Sequence, residues 1–181
     1  MVPAYFCLLP FDFCFMLLPV VRIPHPLLKA RAHLVEADTP GLQTFIDDML
    51  ETMYHHPRCV GLAAAQVGKP WRVIVIDASR IDKPGTRHGR VILLNPWIAR
   101  QEGRALLREG CLSVPDFTGN VARAVAVEVH GKDRAGNAVE IKADGFEAEV
   151  FQHELDHLDG QLFLDRVASL ETDVFRRKKY L

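Results

Sequence analysis

The chain has 181 residues and a formal net charge of -1, and 49% of its residues are hydrophobic, which suits one globular domain. The near-neutral charge gives no global reason to expect binding to DNA. Its four cysteines (Cys7, Cys14, Cys59 and Cys111) lack the spacing of a disulfide framework. A reducing compartment is therefore expected.

The first 21 residues are apolar and carry a single side-chain charge, Asp12. Their length would permit a membrane span, but three prolines and the central aspartate oppose one. A basic region and a small-residue cleavage site, which a signal peptide needs, are both missing. We therefore expect no membrane segment and hypothesise that translation starts at Met16, which makes residues 1–15 a non-native extension.

A helix is predicted near the N-terminal end of the domain. Thr39 followed by Pro40 is typical of an N-cap and first helical turn. The apolar residues that recur at helical spacing up to about His55 are Leu42, Phe45, Ile46, Met49 and Met53. His55 and its neighbour His56 diverge by about 100° on a helix, so they are not predicted to share a metal.

The middle of the chain favours β-structure. Residues 71–77 and 91–95 are rich in β-branched side chains and predict two strands. Residues 123–130 and 138–143 flank a polar turn and predict a hairpin. Strands grouped ahead of a helix indicate an α+β fold with mainly antiparallel sheets.

The segment His153-Glu154-Leu155-Asp156-His157 places two imidazoles four residues apart. Positions i and i+4 share one face of a helix, and the surrounding apolar residues predict a half-buried helix over residues 145–158. Two neutral imidazoles so placed can bind one divalent ion, and Glu154 can transfer a proton. The segment predicts a metallohydrolase, although such a pair can also lie on a helix without any metal.

Three positions could supply a third ligand, which catalytic sites of this kind require. In the metzincin pattern, a third histidine stands three residues after a glycine. Gly160 matches that glycine, but the histidine position is Phe163, which cannot bind a metal. A downstream carboxylate of the zincin type would be Glu171. The upstream candidate is Cys111, whose glycine and proline neighbours suggest a strand edge or tight bend. A single cysteine is more often a small buried hydrophobic residue.

A third segment, Cys59 to Gly68, is rich in small residues and contains one amide, Gln66. Small residues let a ligand approach the backbone closely, and a buried amide needs a partner. Taken alone, the segment favours an ordinary turn with a solvated glutamine.

Together, three motifs resemble those of the peptide deformylase family, in the same order and at similar spacing. They are Gly-Leu-Ala-Ala-Ala-Gln (Gly61 to Gln66), Glu-Gly-Cys-Leu-Ser (Glu109 to Ser113) and Gln-His-Glu-Leu-Asp-His (Gln152 to His157). The resemblance extends over about residues 19–166. Two departures are Cys59, where the family usually has glycine, and Ala122, where many relatives have proline. The resemblance implies sheets around a central helix that carries both histidines, with one catalytic domain over residues 16–170.

The resemblance implies a hydrolase that removes the formyl group from the N-terminal formyl-methionine of new polypeptides and releases formate. The implied metal ligands are Cys111, His153 and His157. Glu154 would act as a general base and then as a general acid.

The remaining site residues are implied in the same way. The Gln66 side chain and the Leu112 N–H would stabilise the oxyanion. The implied substrate-binding residues are Gly61, Val60, Val150 and Phe151. Those expected to support the ligands without binding the metal are Asp156, Arg123 and Glu109, with Asp156 paired to Arg123.

The family implies Fe²⁺ in the cell, although Zn²⁺, Ni²⁺ or Co²⁺ could occupy a Cys/His/His set. The implied substrates are N-formyl-methionyl nascent peptides, and the implied compartment is the bacterial cytoplasm. A basic run at residues 176–179 lies in the tail of residues 171–181. It is interpreted first as a solvated helix end; the alternative is contact with the ribosome.

Two other interpretations remain open. A zincin-type peptidase would keep its metal without Cys111. A catalytically silent relative would bind peptides without hydrolysing them. Cys59, in place of the usual glycine, keeps this interpretation open.

Overall fold

Two antiparallel sheets form the framework of the molecule, and the computed structural model describes residues 16–177 of it. The five-stranded sheet has the order β1-β2-β3-β6-β7. Its strands are β1 (Gly61–Ala63), β2 (Val73–Ile76), β3 (Val91–Glu102), β6 (Ala126–Lys132) and β7 (Ala138–Asp144). The three-stranded sheet, in the order β4-β5-β8, contains β4 (Ala105–Cys111), β5 (Val114–Arg123) and β8 (Val174–Arg176).

Two long helices pack on the five-stranded sheet. Helix α1 (Leu42–His55) contacts β1 and β2, and helix α2 (Gly145–Leu158) contacts all five strands. The short helix α3 (Phe163–Arg166) packs on β4 and β5. Three 3-10 helices complete the fold: Pro26–Lys29, Ala64–Val67 and Ala78–Arg80. The expected α+β architecture, with antiparallel sheets around the histidine-bearing helix, is confirmed.

Strand β2 is apolar throughout because helices cover both of its faces. Val73 and Val75 belong to the hydrophobic cluster around α1. Ile74 and Ile76 belong to the cluster around α2. Successive side chains of a strand point to opposite faces, so four consecutive β-branched residues are all buried here.

Helix α2 is fixed at both ends. In its first turn the fully buried Glu147 accepts hydrogen bonds from Thr86 Oγ1 (2.6 Å) and the His88 N–H (2.9 Å). At the other end Arg72 donates to Asp159 Oδ1 (2.7 Å) and to the Leu158 carbonyl (3.4 Å). These bonds limit movement of the two histidines that the helix carries.

The start of α1 differs from the prediction. The N-cap is Gly41, with a φ of 77° and no side-chain hydrogen bond. The predicted cap at Thr39 is wrong, because its hydroxyl accepts from the Glu36 N–H (3.1 Å) in the preceding turn.

Strand β3 is longer than predicted and passes through Pro96. The register with β6 shifts between Leu94 and Trp97, and Asn95 has a φ of 53°. The Asn95 side chain exchanges two hydrogen bonds with the backbone of Val35 (2.7 and 2.9 Å). These two bonds hold the chain at Asn95, where the β3–β6 pairing is interrupted.

The C-terminal residues form a strand where the sequence predicts a helix end. Strand β8 pairs with β5 in the register Phe117↔Arg176 and Gly119↔Val174. The expected helix is therefore wrong for the described residues. Of the residues assigned to a C-terminal tail, Val174–Arg176 form β8, and residues 171–173 lie in the turn that precedes it. The expectations for residues 1–15 and 178–181 lie outside the described part.

Within residues 16–177, no helix has both the length and the apolar character needed to cross a bilayer.

Candidate metal centre

Helix α2 and the end of strand β4 bring three potential metal ligands together. Their ligand atoms, one each from Cys111, His153 and His157, all lie within 4.8 Å of one another. Cys111 Sγ is 3.2 Å from His157 Nε2. Cys111 is the last residue of β4, where the register with β5 shifts, which agrees with the predicted strand edge. This group could hold one divalent ion.

The orientation of His153 is set by a carboxylate. Its Nδ1 lies 2.8 Å from Glu109 Oε2, so the ring directs Nε2 elsewhere and keeps it available as a ligand atom. Glu109 is held in turn by Arg123, which donates to both of its oxygens (2.6 and 3.0 Å). Arg123 also donates to Asp156 (2.6 Å), so the expected pair with Asp156 is present.

The charges at this site favour the ligating form of the cysteine. Burial alone would raise the pKa of Cys111, but attraction to His157 and hydrogen bonds with both histidines hold the pKa well below its ordinary value. Burial also acts to raise the pKa of Glu109, yet hydrogen bonds from Arg123 and His153 lower that pKa to about 2. A thiolate is the form of cysteine that binds metals.

Glu154 lies next to the histidines in a closely packed position. Burial raises the pKa of Glu154 to about 7. A Cβ on Gly61 would lie 2.5 Å from Glu154 Oε1, so the strand can approach the carboxyl only with glycine at this position. A carboxyl group with a pKa near neutrality can both accept and donate a proton.

The amide of Gln66 points its nitrogen at the same centre. Its Oε1 accepts a hydrogen bond from the Ala63 N–H (2.9 Å), which leaves Nε2 facing Cys111 Sγ (3.3 Å) and Ser113 Oγ (3.4 Å). Gln66 is 2% exposed, so the solvated turn that the segment favoured on its own is wrong. Leu112 follows Cys111 in the turn between β4 and β5 and is half-buried.

The predicted substrate-binding residues lie together, with different exposure. Gly61 begins β1, which is an edge strand of its sheet. Val60 and Val150 pack in the cluster around α2, and Phe151 lies in the same cluster. Phe151 is 0% exposed, so it can support a pocket wall but cannot touch a substrate. Cys59 donates its thiol hydrogen to the Gly61 carbonyl (3.1 Å).

The residues present fit a divalent transition metal. Within residues 16–177, Glu154 Oε2 and His157 Nδ1 are buried without a hydrogen-bond partner. One thiolate and two imidazoles form a donor set that Zn²⁺ and similar ions accept. The group is completed by Cys111 and not by Glu171, which is exposed in a turn. The zincin arrangement with Glu171 as third ligand is therefore wrong.

The polypeptide deformylase family model matches residues 17–173. The chain belongs to the polypeptide deformylase family. The peptide deformylase of Syntrophobacter fumaroxidans is 43% identical over 162 residues, which cover 90% of this chain and 93% of that relative. Peptide deformylase 2 of Vibrio parahaemolyticus is 44% identical and covers 89% and 92%.

Solved deformylase structures share the fold. The enzyme from Legionella pneumophila superposes with a TM-score of 0.77 at 39% identity, covering 86% of this chain and 89% of that one. A Met-Ala-Ser-bound peptide deformylase from Acinetobacter baumannii also gives 0.77, at 37% identity and with coverage of 84% and 99%. The expected family, a metal-dependent hydrolase family, is therefore confirmed.

Sequence reasoning missed some supporting contacts around the deformylase motifs. Arg166 donates twice to Asp156 (2.6 and 3.1 Å), which adds α3 to the network. The hydrogen bond between Glu109 and His153 was also not specified. This second contact has no local sequence signal, because it joins β4 to α2 across the fold.

Proposed function

We propose that this protein hydrolyses the formyl group from the N-terminal formyl-methionine of newly synthesised polypeptides and releases formate. The observation that carries the proposal is the convergence of Cys111, His153 and His157 with Glu154 and Gln66 in one buried centre. The relative from Acinetobacter baumannii holds Met-Ala-Ser, a peptide that begins with an unblocked methionine. Such a peptide is what deformylation of formyl-Met-Ala-Ser would leave.

Cys111, His153 and His157 would hold the metal, with Fe²⁺ as the proposed ion in the cell and Zn²⁺, Ni²⁺ or Co²⁺ as other occupants. When bound, the ion would supply Lewis acidity and bring the pKa of water close to neutrality. Glu109 supports this role because its contact with His153 Nδ1 fixes the ring orientation.

Glu154 would take a proton from the attacking water and later give it to the leaving amine. The Gln66 amide and the Leu112 N–H would donate to the oxygen that becomes negative on attack. One such donor typically lowers the barrier by about 2.7–4 kcal/mol. Gln66 suits this role because its amide orientation is fixed by the Ala63 N–H.

The peptide would add to the free edge of β1 at Gly61, in the manner of strand addition. Val60 and Val150 would contact the methionine side chain, with Phe151 behind them. Their membership of one apolar cluster supports this assignment.

Formate release from formyl-Met-Ala-Ser, measured anaerobically with Fe²⁺-loaded protein, tests the activity. We expect turnover by the natural protein and a loss of at least about 100-fold in Glu154→Ala, since general acid–base catalysis contributes about 10²–10⁴-fold. Formate no faster than with Glu154→Ala would instead favour a silent peptide-binding relative.

Metal analysis of Cys111→Ala tests the ligand set. We expect this variant to lose the bound ion, whereas Cys59→Ala, which changes a cysteine outside the ligand set, keeps it. Full retention of metal by Cys111→Ala would contradict the assignment.

We also propose that the protein acts in the bacterial cytoplasm, that its translation starts at Met16, and that the basic tail contacts the ribosome. Deleting residues 174–181 would remove β8, so the better variant is Lys178→Ala with Lys179→Ala. Ribosome binding should weaken and depend less steeply on salt concentration, while hydrolysis of a free formyl peptide stays unchanged. Unaltered ribosome affinity would contradict this role.

Mass spectrometry of the N-terminus of the natural protein tests the proposed translation start at Met16.

A further inference from the structure

The carbonyl of Gly61 faces the open side of strand β1. The Asp77 N–H donates to the Val60 carbonyl (2.8 Å), so the main chain of Val60 faces β2. Successive residues of a strand direct their main-chain groups to opposite sides, and Gly61 therefore directs its N–H and C=O away from β2. The Ala63 N–H agrees with this alternation, because it donates to the Gln66 side chain (2.9 Å). This open side is the one on which the proposed peptide strand would add.

The Gly61 carbonyl already has a hydrogen-bond donor on this side. Its oxygen lies 3.1 Å from Cys59 Sγ, and a carbonyl oxygen can only accept, so the thiol donates the hydrogen. Burial raises the pKa of Cys59 to about 12, which keeps that hydrogen on the sulfur at neutral pH. The glycine that the family usually has at this position would offer no such donor, so the contact is a feature of this chain.

The backbone of Cys59 is fixed, whereas its thiol is free to exchange partners. The Arg80 guanidinium donates to the Cys59 carbonyl (2.6 Å), and the Cys59 N–H donates to the His56 carbonyl (3.2 Å). The Cys59 side chain packs in the hydrophobic cluster around α1. A thiol is a weak donor and behaves as a small hydrophobic group in such surroundings, so it can release the carbonyl at a small cost.

An unpaired oxygen beside Gly61 indicates that a ligand binds at this edge. Glu154 Oε1 lies 2.5 Å from the point where a Cβ on Gly61 would be. The other oxygen, Oε2, is buried without a hydrogen-bond partner among residues 16–177, and Glu154 is 4% exposed. Buried polar atoms are normally paired, so we expect a bound molecule to supply the missing partner between Gly61 and the metal ligands.

We infer that the Cys59 thiol is a replaceable cap on the Gly61 carbonyl, which a main-chain N–H of the incoming peptide must displace. The role rests on the proposed function, in which the peptide adds to this edge. Without the thiol, water would bind the carbonyl, and displaced water regains its hydrogen bonds in bulk solvent. A displaced thiol finds no such partner in its apolar cluster. The cap therefore weakens peptide binding, and Cys59 is a positioning residue that acts through the Gly61 carbonyl.

The cap should change KM and leave kcat unaltered, because the thiol is displaced in the bound substrate and in the transition state alike. The net effect of one weak hydrogen bond is about two- to fivefold in an equilibrium constant. Cys59→Ala removes the donor and should lower KM for formyl-Met-Ala-Ser by about that factor. Cys59→Ser introduces a stronger donor and should raise KM by a similar factor.

The experiment measures kcat, KM and bound metal for the metal-loaded natural protein, Cys59→Ala and Cys59→Ser with formyl-Met-Ala-Ser. The two variants are a matched pair that differs by one hydroxyl group, so opposite changes in KM would follow the donor and not the packing. The infrared S–H stretch of Cys59 should also move to higher frequency when Met-Ala-Ser binds, and Cys59→Ala should lack this shift. The shift is observed in the natural protein, which keeps the test decisive if a variant folds poorly.

Two results would overturn the cap. One is a change of KM with the same sign in both variants, and the other is an S–H stretch that saturating Met-Ala-Ser leaves in place. A peptide-induced shift of the stretch in a protein that releases no formate from formyl-Met-Ala-Ser would overturn the proposed function and support the cap.

Discussion

Gly61 contributes to the site through the side chain that it lacks. Its φ is not in the left-handed region, so the backbone itself would accept another residue. The restriction is one of space, because a Cβ would lie 2.5 Å from Oε1 of Glu154 and 2.9 Å from its Cδ. The glycine therefore allows Glu154 to lie between β1 and the metal ligands.

Gly61→Ala should lower kcat for formate release, because the added methyl group displaces the Glu154 carboxyl. A misplacement of about 1 Å can reduce a rate about 100-fold, and we expect a loss approaching that size. Bound metal should stay at the natural level, since no ligand is changed. Gly131→Ala adds the same group to strand β6, away from the centre, and should retain kcat; an unchanged kcat in Gly61→Ala would contradict the argument.

The residues of the site differ in how far sequence could predict them. The helical repeat alone placed His153 and His157 on one face. Cys111 lies far from them along the chain, so no local periodicity could pair it with them, and the motif resemblance was needed. The contact of Glu109 with His153 depends on how a hairpin docks on a helix, which single-residue patterns do not encode.

Between elements, a buried arginine joins the two sheets through α2. Arg123, at the end of β5, contacts Glu109 of β4 and Asp156 of α2. All three residues are buried. Removing one member would leave uncompensated charge in a region of low dielectric constant.

Arg123→Met should lower the free energy of unfolding by about 3–5 kcal/mol, as measured by urea denaturation, because two buried carboxylates lose their cation. Arg166→Ala is the matched comparison. Its side chain is 45% exposed and contacts Asp156 alone among these acids, so a loss of about 1 kcal/mol or less is expected. Equal losses in the two variants would contradict a special role for Arg123.

Helices and apolar strands were predicted better than the small sheet. Both long helices have a clear helical repeat and β2 is a run of β-branched residues, so all three elements were predicted, although α1 begins at Leu42 and not at the predicted Thr39 cap. The β4–β5 hairpin has charged residues among its apolar ones, so its alternation was not recognised. Strand β8 exists because β5 offers an edge to pair with, and a three-residue strand has no distinctive pattern of its own.

At the scale of the whole molecule, the ionisation of Glu109 links folding to pH. The pKa of this acid is about 2 in the folded protein against an ordinary value of 4.5. The unfolded chain therefore binds the proton first as the pH falls. The stability that the carboxylate provides is complete above pH 4.5 and is lost progressively toward pH 2.

The difference in unfolding free energy between the natural protein and Glu109→Gln should therefore shrink as the pH falls from about 4.5 toward 2. Urea unfolding of both proteins without metal, at several pH values, measures this difference. The glutamine resembles the protonated acid, so the two curves should converge. A constant difference across the window would show that Glu109 does not keep its charge in the fold.

The origin of the three ligand atoms has a further consequence for stability. The thiol comes from the three-stranded sheet, and the imidazoles come from a helix packed on the other sheet. An ion held by all three is a non-covalent cross-link between the layers, and an unfolded chain cannot reproduce it. At a free ion concentration 100 times the dissociation constant, binding adds about 2.7 kcal/mol to the free energy of unfolding. Chelators should accordingly lower the melting temperature of this protein as well as stop its turnover.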